Sequence, residues 1–143
     1  MELDLRETTD FSKSGDDFGT PRILVVGCGG AGGNTVTRLV RMGIKGAKTV
    51  SINTDRQHLE TVMADEKLLI GRKLTRGMGA GGDPVVGRKA AESARVDLED
   101  LLRGIDLVFV LAGMGGGTGT GSAPVVARIA RQIGRSSIHG TVV

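Results

Sequence analysis

The 143-residue chain predicts an α/β fold, a Rossmann-like parallel sheet flanked by helices. Three observations carry that expectation. Short apolar runs alternate with segments of helical periodicity, which is the pattern of strands joined by crossover helices. The runs end in glycine-rich turns, and the apolar residues are Val, Ile, Leu and Ala, with three Phe and neither Trp nor Tyr. The 24 glycines cluster at the ends of runs, so a collagen-like or low-complexity chain is excluded. The scarcity of aromatic rings argues against a stacking platform for single-stranded nucleic acid.

Residues 1–20 carry six acidic side chains against two basic ones and lack apolar periodicity, so they read as a disordered acidic extension ahead of a domain over 21–143. Arg22 to Val26 reads as the first strand, and Gly27 to Asn34 as a glycine loop. Thr35 to Met42 reads as a helix with Val36, Leu39 and Val40 on one face, closed by Gly43 as its C′ residue. Lys48 to Ile52 is a second strand ending in Asn53-Thr54-Asp55. A short helix over 58–63 and a short strand over 67–70 follow. Gly71 to Pro84 reads as a long, basic, glycine-rich loop. One helix is expected from Val85 to Leu102, with Ala91, Ala94, Leu98, Leu101 and Leu102 at helical spacing. Leu107 to Leu111 is a strand buried on both faces, and Gly113 to Ser122 is the richest glycine loop. A helix with Pro124 near its start runs to about Ile133, and a last strand covers 138–143.

Every glycine loop falls at the carboxyl end of a strand, where open parallel sheets bind ligands. A loop without side chains that feeds a helix N-terminus presents backbone N–H groups to an anion, and the helix dipole favours negative charge there. The expected ligand is therefore a polyphosphate. The net charge of +3 suits an anionic small molecule, and no nucleic-acid motif accompanies it. A single cysteine, Cys28, allows no internal disulfide and is read as a small filler. No apolar run approaches bilayer length and no secretion signal opens the chain, so no membrane insertion is expected and the cytoplasm is the expected compartment. His58 and His139 lack partners at ligand spacing, so no zinc site is expected. Arg72, Lys73 and Arg76, the arginines at 128, 131 and 135, and Asp97, Glu99 and Asp100 read as solvated surface charge.

Gly27-x-Gly29-x-x-Gly32, with Asp55 after the next strand, satisfies the dinucleotide fingerprint of a NAD-dependent oxidoreductase. That reading needs one pyrophosphate loop, whereas three glycine-rich loops stand at strand ends here. A lysine-bearing phosphate loop of the kinase or Ras type is absent.

Gly115 to Gly121 reads GGGTGTG, the signature of the tubulin/FtsZ superfamily, and Gly27 to Asn34 resembles that family's first phosphate loop. Asn53-Thr54-Asp55 and Gly79 to Pro84 resemble its second and third nucleotide loops, in order, so the likeness spans about residues 22–133. The resemblance implies the N-terminal half of a tubulin/FtsZ-type GTPase domain that binds GTP or GDP with Mg²⁺. It implies head-to-tail self-association into protofilaments, accessory proteins of the division ring, a mid-cell location and no nucleic-acid partner. The nucleotide-binding positions it implies are Gly29, Gly30, Ala31, Gly32, Gly33, Asn34, Asp55, Ala80, Gly81, Gly82, Gly116, Gly117, Thr118, Gly119, Thr120 and Gly121. Asp55 is implied to lie near Mg²⁺ without direct ligation. In the family, the sugar contacts, the guanine-reading helix and the hydrolytic acidic loop come later in the chain. The expectation is thus a fragment with no catalytic residue of its own and little or no GTP turnover.

Overall fold

The structure is a computed structural model that describes residues 20–133 and the backbone of 137–142. The acidic stretch 1–19 and Arg135 lie outside the described residues.

Five parallel strands form one sheet in the order β3-β2-β1-β4-β5. They are β1 (Ile23–Cys28), β2 (Ala47–Asn53), β3 (Glu66–Leu69), β4 (Leu107–Ala112) and β5 (Ser137–Val142). The register sets Cys28 beside Ile52 on one side and beside Ala112 on the other, so β1, β2 and β4 end level with one another. The alternate residues of each strand point to opposite faces. Leu24, Val26, Cys28, Val50, Ile52, Val108 and Val110 enter the larger core with Ala90, Ala91, Leu98, Leu102, Val126 and Ile129. Val25 and Leu111 face the other way, onto Val36.

The helices are α1 (Gly29–Arg41), α2 (Arg56–Thr61), α3 (Arg72–Thr75), α4 (Pro84–Ser93), α5 (Arg95–Leu102) and α6 (Gly117–Gln132). The residues they bury put α1 on one face of the sheet and α4, α5 and α6 on the other. Helix α1 ends as expected. Gly43 has φ +81°, and Gly43 and Ile44 donate to the carbonyls of Val40 and Leu39, a Schellman closure.

Four expectations are corrected. Helix α1 begins at Gly29, not Thr35, and α6 begins at Gly117, not near Ser122. Glycine is a poor helix former, so a sequence reading moves both starts downstream. Tertiary contact overrides that preference here, because Gly29, Gly32, Gly117 and Gly121 occupy positions where a Cβ would lie 2.7 Å or less from a backbone atom. Pro124 consequently lies inside α6, where its ring forgoes the amide bond to Thr120. The expected helix from Val85 to Leu102 is two helices meeting at Ala94 (φ −98°, ψ 18°). There Ala94 N donates to Ala91 O, and Ser93 Oγ donates to Ala90 O. These three-residue-back bonds tighten the chain and turn its axis. Finally, the loop 71–84 holds the one-turn helix α3 between two left-handed residues, Gly71 and Arg76. Its next residues are bonded to the turn that joins β2 to α2: Arg56 N donates to Gly77 O, and Gly79 N to Thr54 O.

Candidate functional site

At the carboxyl ends of β1, β2 and β4 a cleft of about 420 Å³ opens. Its floor and walls come from the start of α1, the Asn53–His58 turn, residues 78–81, and the stretch from Gly113 to Gly119.

The cleft exists because two glycine turns from different strands touch through their backbones. Gly29 has φ +76°, and a Cβ there would lie 2.7 Å from Gly119 N. A Cβ on Gly119 would in turn meet the carbonyls of Gly113 and Cys28 at 3.0 and 3.1 Å. Side chains would force these turns apart, and with them the starts of α1 and α6. Both helices begin without a side-chain cap, at Cys28 and Gly116. The first-turn N–H groups of a helix have no partner within it, so two sets of orphan donors and two positive dipole ends are offered at one cleft.

The neighbouring helices are built differently. Asp55 caps α2, its Oδ1 accepting from His58 N at 3.1 Å, and Asp83 caps α4, its Oδ1 accepting from Val85 N at 2.9 Å. Asn53 Oδ1 accepts from the amides of Thr54 and Asp55 at 2.8 and 3.2 Å, which folds the turn that holds Asp55 at the rim. Thr54 Oγ1 and Thr118 Oγ1 share a buried hydrogen bond of 2.7 Å, tying that turn to the start of α6.

Of the expected positions, Gly30, Ala31, Asp55, Ala80, Gly81, Gly116, Gly117, Thr118 and Gly119 line the cleft. The others sit elsewhere. Gly29 shapes it from behind. Gly32 packs under the Leu111 carbonyl, 2.5 Å from where its Cβ would be, and Gly33 packs against Val62 and Ser51. Asn34 and Gly82 are exposed outside the lining. Gly121 is buried against α4, where a Cβ would lie 2.1 Å from Pro84 O. Thr120 Oγ1 accepts from Gly115 N at 2.9 Å, so it braces the glycine turn from within. Gly113 and Met114, at the head of the expected glycine loop, line the cleft too, as do His58 and Met78, which were not singled out from sequence as ligand-binding. Among the described residues, no Lys or Arg lines it. Cys28 is fully buried at its floor, and burial pushes its thiol up to about 12 against a hydrogen bond with Ser122 that pulls the other way. An inert packing role follows.

Residues 22–143 match the Tubulin/FtsZ family, GTPase domain. The chain belongs to that family. It is 63% identical over 132 residues to "Cell division protein FtsZ 2" of Methanocaldococcus jannaschii, covering 92% of this chain and 34% of that protein. The chain thus spans about a third of the length of the curated relatives it matches. Among solved structures, an empty FtsZ dimer from M. jannaschii is 48% identical with a TM-score of 0.79, over 96% of this chain and 40% of that one. A GTPγS-bound protofilament of CetZ2 from Haloferax volcanii is 28% identical with a TM-score of 0.75, over 85% and 39%. These Tubulin/FtsZ likenesses leave the NAD-dependent reading of the Gly27-to-Gly32 fingerprint without support. No helix among the described residues is long and apolar enough to cross a membrane.

Proposed function

We propose that this chain supplies the phosphate-holding part of a GTP site in a filament-forming cell-division GTPase. The observation that carries the reading is the backbone contact of Gly29 with Gly119, which turns two uncapped helix starts into a single anion receptor. With no Lys or Arg among the described residues of the lining, the negative charge of a triphosphate is met by backbone N–H groups, dipoles and a companion cation.

Mg²⁺ fits that donor set. Among the described residues no three His, Cys, Asp or Glu side chains gather into a metal cage. Asp55 stands at the rim, which suits an ion held mainly by phosphate oxygens and water with one carboxylate nearby. When bound, Mg²⁺ offsets phosphate charge. The chain's own residues orient the phosphates through the first turns of α1 and α6. Residues 79–81 and Gly116 to Thr118 border the cleft together, a Cβ on Gly117 falling 2.9 Å from Ala80 Cβ.

Head-to-tail association into protofilaments at a cytoplasmic, mid-cell division site belongs to the same reading, as does contact with accessory ring proteins. It is supported by relatives described as cell-division proteins and by solved structures described as a dimer and a protofilament. In this reading GTP hydrolysis needs acidic groups brought by a neighbouring subunit, so the isolated chain turns over GTP slowly or not at all.

The test is calorimetric titration of the chain with GTP and with NAD in the presence of Mg²⁺. The proposal expects GTP to bind and NAD to be unable to displace it. Binding of NAD in preference to GTP would overturn it.

A further inference from the structure

The cleft contains one side chain that can donate a hydrogen bond from a ring nitrogen, and neither the motifs nor the family likeness assigns it a task. His58 lines the cleft with Nε2 and Cε1 facing the first turn of α1. A Cβ on Gly30 would lie 3.8 and 3.9 Å from these two atoms and one on Gly33 3.7 Å from Cε1, so the ring edge lies alongside the start of α1 at the cleft. Among the described residues Nε2 has no hydrogen-bond partner, while Nδ1 lies 3.5 Å from Asn53 Nδ2.

The orientation of that amide is not free. Asn53 Oδ1 already accepts from Thr54 N and Asp55 N, so the NH₂ end of Asn53 must be the end that faces the ring. An NH₂ group only donates, and Nδ1 must therefore accept. A neutral imidazole carries its single proton on whichever nitrogen is not accepting, which here is Nε2. The backbone of the same residue is held by the Asp55 cap, so the ring is carried on the turn that sets the rim.

We propose that His58 is a phosphate-binding residue of this site, with Asn53 fixing the tautomer that presents Nε2–H to a phosphate oxygen beside Gly30. The inference rests on the nucleotide reading above and deepens it by naming a side-chain donor where the described lining holds no Lys or Arg. The phosphate is preferred to the sugar because His58 lines the same cleft as Gly30 and Ala31, in the first turn of α1.

The experiment measures binding of GTP and of inorganic tripolyphosphate to the chain and to His58→Gln, His58→Asn and His58→Ala. Glutamine can place an amide N–H near the position of Nε2, whereas asparagine reaches only as far as Nδ1. The expected result is about tenfold weaker binding of both probes by His58→Asn and His58→Ala, the loss of one hydrogen bond to a charged group. His58→Gln should keep most of the affinity. Imidazole ¹⁵N shifts of the free chain should report the proton on Nε2. Unchanged affinity in both His58→Asn and His58→Ala would overturn the contact, and a proton on Nδ1 would overturn the tautomer assignment. Weakening of GTP but not of tripolyphosphate would also overturn it, by moving the contact to the nucleoside. Failure of the unsubstituted chain to bind either probe would instead remove the nucleotide reading, and this inference with it.

Discussion

Helices α2 and α4 bring their own anions, whereas α1 and α6 begin with none. Asp55 and Asp83 accept first-turn amides and complete their helices. Cys28 and Gly116 offer no side-chain acceptor, although Ser, Thr, Asp or Asn at those positions would be the ordinary choice. The difference separates helix ends that serve stability from helix ends left for a ligand. It also separates two uses of glycine. Gly29 and Gly119 bring the uncapped ends together, while Gly87 and Gly121 let α4 and α6 pack through their backbones.

The largest expected effect breaks the second use. Gly121→Val would drive side-chain atoms into Pro84 O and Arg88 N on α4, both of them backbone. It should destabilise the fold by about 3 kcal/mol, measured by urea unfolding. A change near zero would mean that α4 and α6 can separate freely.

Gly29→Ala attacks the first use. The residue would have to hold φ +76° with its Cβ against Gly119 N. A loss of about 2 kcal/mol in stability is expected, together with at least about tenfold weaker triphosphate binding by calorimetry. Intact binding would separate the two turns functionally. Asp83→Ala should cost about 1 kcal/mol of stability by removing a cap, with triphosphate affinity within about twofold of the original. A larger loss of affinity would move that end of α4 into the site.

The sheet was legible because β1 and β4 are apolar almost throughout, β2 sets Val50 and Ile52 in alternation with Thr49 and Ser51, and each stops at a glycine or at the Asn53–Asp55 turn. Helix starts were not, because glycine reads as loop when its neighbours in space are unknown. The same limit applies at the site. Gly119 and Gly121 are indistinguishable in sequence, yet one lines the cleft and the other faces Pro84. The sequence shows that a Cβ is missing and not which atom it would have struck. Thr120, an expected nucleotide-binding position, accepts from Gly115 N and keeps its hydroxyl proton to donate. Thr120→Ala should therefore act by loosening the 113–116 turn. His58 carried one signal that could have found it. It stands three residues after an aspartate at a helix start, where its backbone is the capped group and its ring faces the same rim.

A smaller effect concerns Cys28. Its thiol is raised from 9.0 to about 12 in the folded chain by burial. The contribution is fully present below the unfolded value and is lost as pH rises through the folded one. Unfolding free energy should thus fall as pH climbs from about 9 towards 12, and Cys28→Ser should flatten part of that slope. An identical slope in Cys28→Ser would assign the alkaline loss to other groups.

The most direct test gives α6 the anion it lacks. Gly116 sits at φ −82°, ψ 160°, and a Cβ there meets nothing within 4 Å, so Gly116→Asp fits the backbone and supplies a cap. The account predicts a free chain more stable by about 0.5 kcal/mol, because the carboxylate satisfies an orphan amide and the helix dipole. It predicts at least about tenfold weaker GTP binding from the same substitution, since that carboxylate occupies the place of a phosphate and repels it. A Gly116→Asp chain that binds GTP as tightly as the original would contradict the claim that bare helix ends make the receptor.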